Sequence, residues 1–144
     1  MNIRNALTGE EEAIAQIDDS HRFSAHWSAV QVQGEMGHPC GRVLVAETDG
    51  KISGFIAFRA VAGVGEILNL AVAQNKLRCH LGTLLVERAL KEMRESATLQ
   101  ITLEVNENNL PAITLYEKAG FKVIGRRPKF YNGAEDALLM GLVS

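Results

Sequence analysis

Little in this 144-residue chain is extreme, and each shortage removes a class of explanation. Fifteen Lys and Arg against 17 Asp and Glu leave a formal charge of -2, so bulk attraction to nucleic acid or an anionic membrane is excluded as a driving force. Any recognition of an anion has to be local. The two cysteines, Cys40 and Cys79, have neither CxxC nor Cys/His spacing, which argues for reduced thiols and assigns no metal. No apolar run approaches the ~18 residues of a membrane span, and the opening MNIRNALTGEEE lacks a secretory apolar core; the expectation is a cytoplasmic protein. Three prolines, Pro39, Pro111 and Pro128, punctuate the chain, and no repeat, low-complexity tract or linker divides it. With 47% apolar residues, one domain over residues 1–144 with one sizeable core is expected.

What is present is periodicity. Residues 2–6 suit a short edge strand. Thr8 with Glu11 three residues later has the form of a capping box opening a helix through Ala13, Ile14 and Ile17, with Glu10, Glu11 and Glu12 complementing its dipole. Residues 24–36, SAHWSAVQVQGEM, read as a second, short helix. Runs 42–47 and 52–60 are β-rich and flank Asp49-Gly50, which supplies the positive φ angles of a tight hairpin. Run 66–73 is almost continuously apolar, as in a central strand covered on both faces. Leu81, Leu84, Leu85, Ala89 and Met93 form one stripe of a helix whose other side carries Glu87, Arg88, Lys91 and Glu92. Leu99, Ile101, Leu103 and Val105 then alternate with Gln100, Thr102, Glu104 and Asn106, which sets Glu104 on the polar face of a strand. Pro111 lies in the first turn of a helix carrying Ile113, Leu115 and Tyr116 and closed by Gly120; strands 121–126 and 137–142 finish an α+β arrangement.

One junction suggests chemistry. From Asn69 to Leu90 a buried strand passes through a short polar loop carrying Arg78 and Gly82 into a helix start, where unpaired N–H groups and the positive end of the helix dipole make an anion site. Glu104 follows 22 residues after Gly82. Cys79 lies beside this helix start without an evident partner base and reads as a structural thiol. His21, His26 and His38 have no acidic or cysteine partners at ligand spacing and read as surface or core-edge residues.

The segments ILNLAV, LRCHLGTLL and LEVNENNLPAITLYEKAGF, with RR at Arg126 and Arg127 and EDALLM at 135–140, resemble the GCN5-related N-acetyltransferase (GNAT) family. They are most similar to its RimI-type branch, which acetylates a ribosomal-protein N-terminal alanine. The resemblance covers roughly residues 42–140; the first fifth of the chain shares it loosely, through His21, Phe23 and Trp27. It implies a mixed, mostly antiparallel central sheet of six or seven strands with about four helices on its faces. It also implies acetyl-coenzyme A as acetyl-donor cosubstrate, an amine acceptor such as a protein N-terminus, and a monomer or homodimer with no nucleic-acid or membrane partner.

The backbone matching Leu70, Ala71 and Val72 would bond the pantetheine arm, and the loop of Arg78, Cys79, His80, Leu81, Gly82 and Thr83 would wrap the pyrophosphate. Leu77 stands where the family has a polar residue and His80 where it has its first glycine, so His80 either crowds the phosphates or contributes a donor of its own. Glu104 and Tyr116 match the general base and general acid of RimI-type enzymes, one taking the proton of the acceptor ammonium, the other returning one to the departing thiolate. Glu66 is a competing base, since EILNLAV also resembles the histone-type enzymes. Asn109 contacts the cofactor, caps a helix, or does both. A backbone N–H near Leu70 would hold the oxyanion, and Arg126, Arg127, Lys129 and Tyr131, in a loop before the last strand, would border the acceptor. A small-molecule amine acetyltransferase and a catalytically inactive acyl-coenzyme A-binding module are the alternative functions.

Overall fold

The computed structural model describes residues 1–76, 80–131 and 135–143, apart from the Tyr131 side chain. Seven strands form one sheet: β1 (Asn2–Asn5), β2 (Gly41–Thr48), β3 (Lys51–Val61), β4 (Val64–Val72), β5 (Gln100–Asn106), β6 (Lys122–Tyr131) and β7 (Glu135–Val143), in the order β1-β2-β3-β4-β5-β7-β6. Every pairing is antiparallel except β4 with β5. Helices α1 (Glu11–Asp19), α2 (Ala29–Met36), α3 (Leu81–Glu95) and α4 (Leu110–Lys118) cover the two faces. The expected α+β class, mixed sheet and helix number hold.

Strand alternation splits the core in two. Leu44, Ile56, Phe58, Ile67, Ile101, Leu103 and Met140 face α3 and α4, whereas Val43, Val45, Phe55, Ala57 and Ala71 face α1 and α2. Each face removes a continuous apolar layer from water. Asp49 and Gly50 have φ of 52° and 76°, the paired positive angles a two-residue hairpin between β2 and β3 requires. Among the described residues no helix is long and apolar enough to cross a membrane, and no group of three His, Cys, Asp or Glu could hold a metal ion.

Four local expectations are corrected. Thr8 does not cap α1: Gly9, at φ 102°, turns the chain, Glu10 takes the N-cap position without a side-chain cap bond, and the Glu11 carboxylate accepts the Gly9 N–H (2.7 Å). Glu10 instead accepts the Leu7 N–H (2.7 Å) and clasps Arg4 through both oxygens (2.9 and 2.8 Å). Residues 24–28 are loop, because the true capping box is Ser28 with Gln31, each side chain accepting the other's backbone N–H. Leu99 is exposed and precedes β5. Arg126, Arg127, Lys129 and Tyr131 belong to β6 and not to a loop, since β6 continues through a bulge past Pro128.

Candidate active site

The two central strands part company halfway along. β4 and β5 pair only over Val64–Ile67 and Gln100–Leu103. At that point the β3–β4 register also shifts, Ala57 facing Asn69 while Phe58 faces Ile67, so Leu68 is the extra residue of a bulge that bends β4 away. Ala73 N–H bonds Ser53 C=O (2.7 Å), and by antiparallel alternation the peptide groups of Ala71 are likewise taken by β3. The peptide groups of Leu70 and Val72 therefore face the gap. Of the three strand residues expected at the cofactor, these two turn main-chain groups toward the gap, where His21 bonds the Val72 carbonyl; Ala71 presents a buried side chain to the α1–α2 core.

A cavity of about 100 Å³ sits in this gap, lined by Ile67, Leu68, Asn69 and Leu70 of β4, Glu104 and Val105 of β5, Asn109, Ala112 and Tyr116 of α4, and Phe23, Ser24 and Ala25. A second, of about 330 Å³, shares Leu70, Asn109 and Ala112 with it and extends along Val72, Gly82, Pro111 and Leu115. Glu104 and Tyr116 thus line one space. Tyr116 is 6% exposed, its ring edge-on to Phe121 at 5.8 Å, and burial pushes its hydroxyl well above the ordinary phenol range. It stays protonated at neutral pH and so holds a proton to give. Glu104 is 20% exposed at its side chain and ion-paired through Oε1 to Arg127 Nη2 at 3.0 Å. Glu66 does not join them: it is exposed, outside both cavities, opposite Arg59 in the ladder, and Arg59 is itself clamped to Glu35.

Toward the helix end of the gap the expected phosphate loop is partly in view. Arg78 and Cys79, with Leu77, lie outside the described residues. His80 precedes α3 with φ 59°, the left-handed conformation that glycine adopts freely, and its side chain is exposed. The first helical bond runs from Leu84 N–H to His80 C=O (3.1 Å), which leaves the N–H groups of Leu81, Gly82 and Thr83 without intrahelical acceptors. The Leu81 side chain is core, Thr83 is exposed, and a Cβ on Gly82 would come within 2.8 Å of Leu115 Cδ1, so this glycine also lets α3 and α4 approach closely. Asn109 caps α4 by accepting the Ala112 N–H (3.4 Å) while lining both cavities.

The loop between α1 and α2 carries residues that sequence reasoning underrated. Asp18 is 0% exposed; its Oδ2 accepts the Trp27 N–H (2.7 Å) and the Asn69 amide (2.8 Å), tying the loop to the β4 bulge. His21 bonds Val72 C=O through Nε2 and the Gln74 amide through Nδ1 (3.3 Å), so its ring is braced from both sides. It is a lining residue of the second cavity and not a free surface group. His26 reaches Arg22 C=O (3.1 Å), which, more than Asp19, raises its pKa, and His38 accepts the Cys40 N–H (3.0 Å). The signal for His21 was weak because its partner is 51 residues away.

A sheet opened between parallel neighbours, with Glu104 and Tyr116 at the opening and a helix start beyond it, is the architecture of an acyl-transfer fold. The chain belongs to the acetyltransferase (GNAT) family, whose model matches residues 3–121. It is 35% identical over 109 residues to an N-alpha-acetyltransferase of Sulfurisphaera tokodaii, covering 67% of this chain and 65% of that protein, so the match spans just under two thirds of that relative. It is 32% identical to a ribosomal protein bS18-alanine N-acetyltransferase of Salmonella typhimurium, over 85% of this chain and 83% of the relative. The crystal structure of the ribosomal-protein-S18-alanine N-acetyltransferase from Escherichia coli superposes with a TM-score of 0.87 at 26% identity, covering 99% of this chain and 92% of the other.

Proposed function

We propose that this protein transfers an acetyl group from acetyl-coenzyme A to the α-amine of a protein N-terminus by direct attack. The observation that carries this reading is the convergence of Glu104 and Tyr116, from different elements, on one cavity beside the peptide groups of Leu70, which β5 leaves unpaired. Those groups suit an extended amide-bearing arm, and the N–H groups starting α3 suit a pyrophosphate. The bound cosubstrate supplies a thioester carbonyl. Glu104 takes a proton from the acceptor ammonium, and the amine nitrogen bonds the carbonyl carbon as the carbon–sulfur bond breaks. Leu70 N–H donates to the oxygen on which negative charge develops, Tyr116 gives its proton to the departing sulfur, and the second proton that the nitrogen sheds as the amide forms returns to the Tyr116 oxygen.

Proton cost and the relatives' names support this acceptor class. Freeing an α-amine of pKa about 8 at neutral pH costs about 1 kcal/mol, against about 5 for lysine at about 10.4, which suits a single carboxylate. Acetyl-coenzyme A at millimolar excess should raise the melting temperature, and failure to do so refutes the cosubstrate assignment. Tyr116→Phe should lower kcat about 10-fold to 100-fold while leaving cosubstrate affinity within about twofold. An unchanged kcat refutes the acid role. Binding with no turnover on an alanyl peptide or a polyamine identifies an acyl-coenzyme A-binding module; turnover on the polyamine alone identifies a small-molecule enzyme.

A further inference from the structure

Arg127 reaches Glu104 from the last regularly paired position before an irregularity in β6. Arg127 pairs with Ala137 and Tyr131 with Glu135, so residues 128–130 face the single residue Asp136. Pro128 lacks an N–H to give the ladder, and Lys129 takes a positive φ of 51°. Asp136 staples the resulting bulge: Oδ1 accepts the Lys129 N–H (2.8 Å) and Oδ2 accepts from Arg126 Nη1 (2.7 Å). Its own N–H donates to Glu107 Oε2 (2.6 Å), and Glu107 N–H returns to Asp136 C=O (3.0 Å). Adjacent strand residues point to opposite faces, so Arg126 is spent on the staple and Arg127 is turned to Glu104.

Its guanidinium also lies over the Phe130 ring, 5.6 Å from the centroid, supported by the same bulge. Bulges beside active sites commonly re-aim a side chain in this way. The closest approach of the pair is Arg127 Nη2 to Glu104 Oε1 at 3.0 Å. A guanidinium cannot exchange protons near neutrality, so Arg127 serves neither as acid nor as base. It can hold one oxygen still while the other meets an incoming ammonium.

We propose that Arg127 is a positioning residue for the general base: flanked by the Asp136-stapled bulge and resting on Phe130, it holds Glu104 Oε1 so that Oε2 faces the acceptor nitrogen. This rests on the function proposed for Glu104. Arg127 is 60% exposed at its side chain, so its replacement leaves the core intact. The test is a double-mutant cycle of Arg127→Met and Glu104→Gln, with Arg127→Lys as the conservative variant, assayed for acetyl-coenzyme A-dependent acetylation of an alanyl peptide. Arg127→Met should lower kcat about 10-fold to 30-fold with KM for acetyl-coenzyme A within about twofold, and Arg127→Lys should regain part of that loss. In the Glu104→Gln background the same change should cost less than about twofold, because the base it aims is gone. A wild-type rate for Arg127→Met, or an equal loss in both backgrounds, overturns the positioning role while the base survives. A wild-type rate for Glu104→Gln alone overturns the base itself.

Discussion

The two halves of β4 are one continuous strand put to opposite uses. Over Val64–Ile67 the strand is bonded to β3 on one side and β5 on the other, so its peptide groups are consumed and its inward residues serve packing. From Leu68 to Val72 it keeps β3 and gives up β5, and the peptide groups of Leu70 and Val72 turn into a cavity. The proposed chemistry falls where the ladder is interrupted, because a main-chain edge left open by its neighbour strand within packed surroundings can bind without reorganising. Two glutamates follow the same division. Glu66, in the closed half, is exposed; Glu104, one residue past the last β4–β5 pair, lines the opening.

The sharpest way to break the comparison is to remove each carboxylate in turn. Glu104→Gln should lower kcat/KM about 100-fold to 10,000-fold, the usual worth of a positioned base, while Glu66→Gln should stay within about twofold. Steady-state kinetics on an alanyl peptide decide it. A large loss at Glu66 with none at Glu104 would move the catalytic centre to the closed half.

The closed half should fail through stability instead. A Cβ on Gly65 would meet Met93 Sδ at 2.7 Å and Thr98 Cγ2 at 3.1 Å beneath α3. Gly65→Ala should therefore cost about 1–3 kcal/mol of folding free energy through overpacking, read by urea denaturation, with kcat per folded molecule unchanged. An equal loss of kcat at full stability would show that the two halves are coupled.

Local rules reached much of this from residues alone. Asp49-Gly50 names its own hairpin, and the alternation from Leu99 to Asn106 sets Glu104 on the polar face before any partner is known. The opening of the sheet is different in kind. ILNLAV carries no Gly or Pro to announce a bulge at Leu68; the shift arises from β3, from the crossover through α3, and from Asn69 tied to Asp18 far away in sequence. Pro128 misled by position: it reads as the end of a strand, yet β6 absorbs it by making the bulge that Asp136 holds. Ser28-x-x-Gln31 and Thr8-x-x-Glu11 have the same form, yet only the first closes as a capping box, because Gly9, at φ 102°, turns the chain inside the second.

The smallest effect tests whether the open half depends on backbone rather than side chain. His80 holds φ 59° where the family pattern has glycine. A left-handed non-glycine residue costs about 1–2 kcal/mol, offset in part by the about 0.5–1 kcal/mol that glycine loses in chain entropy on folding, so His80→Gly should stabilise the protein by roughly 0.5–1 kcal/mol. Because the side chain is exposed and the N–H groups of Leu81, Gly82 and Thr83 keep their direction, affinity for coenzyme A should change by less than about twofold in calorimetry. A tenfold gain would show that the imidazole crowds the phosphates, and a tenfold loss that it donates to them. Either result would assign to a side chain what the geometry of the open edge assigns to the main chain.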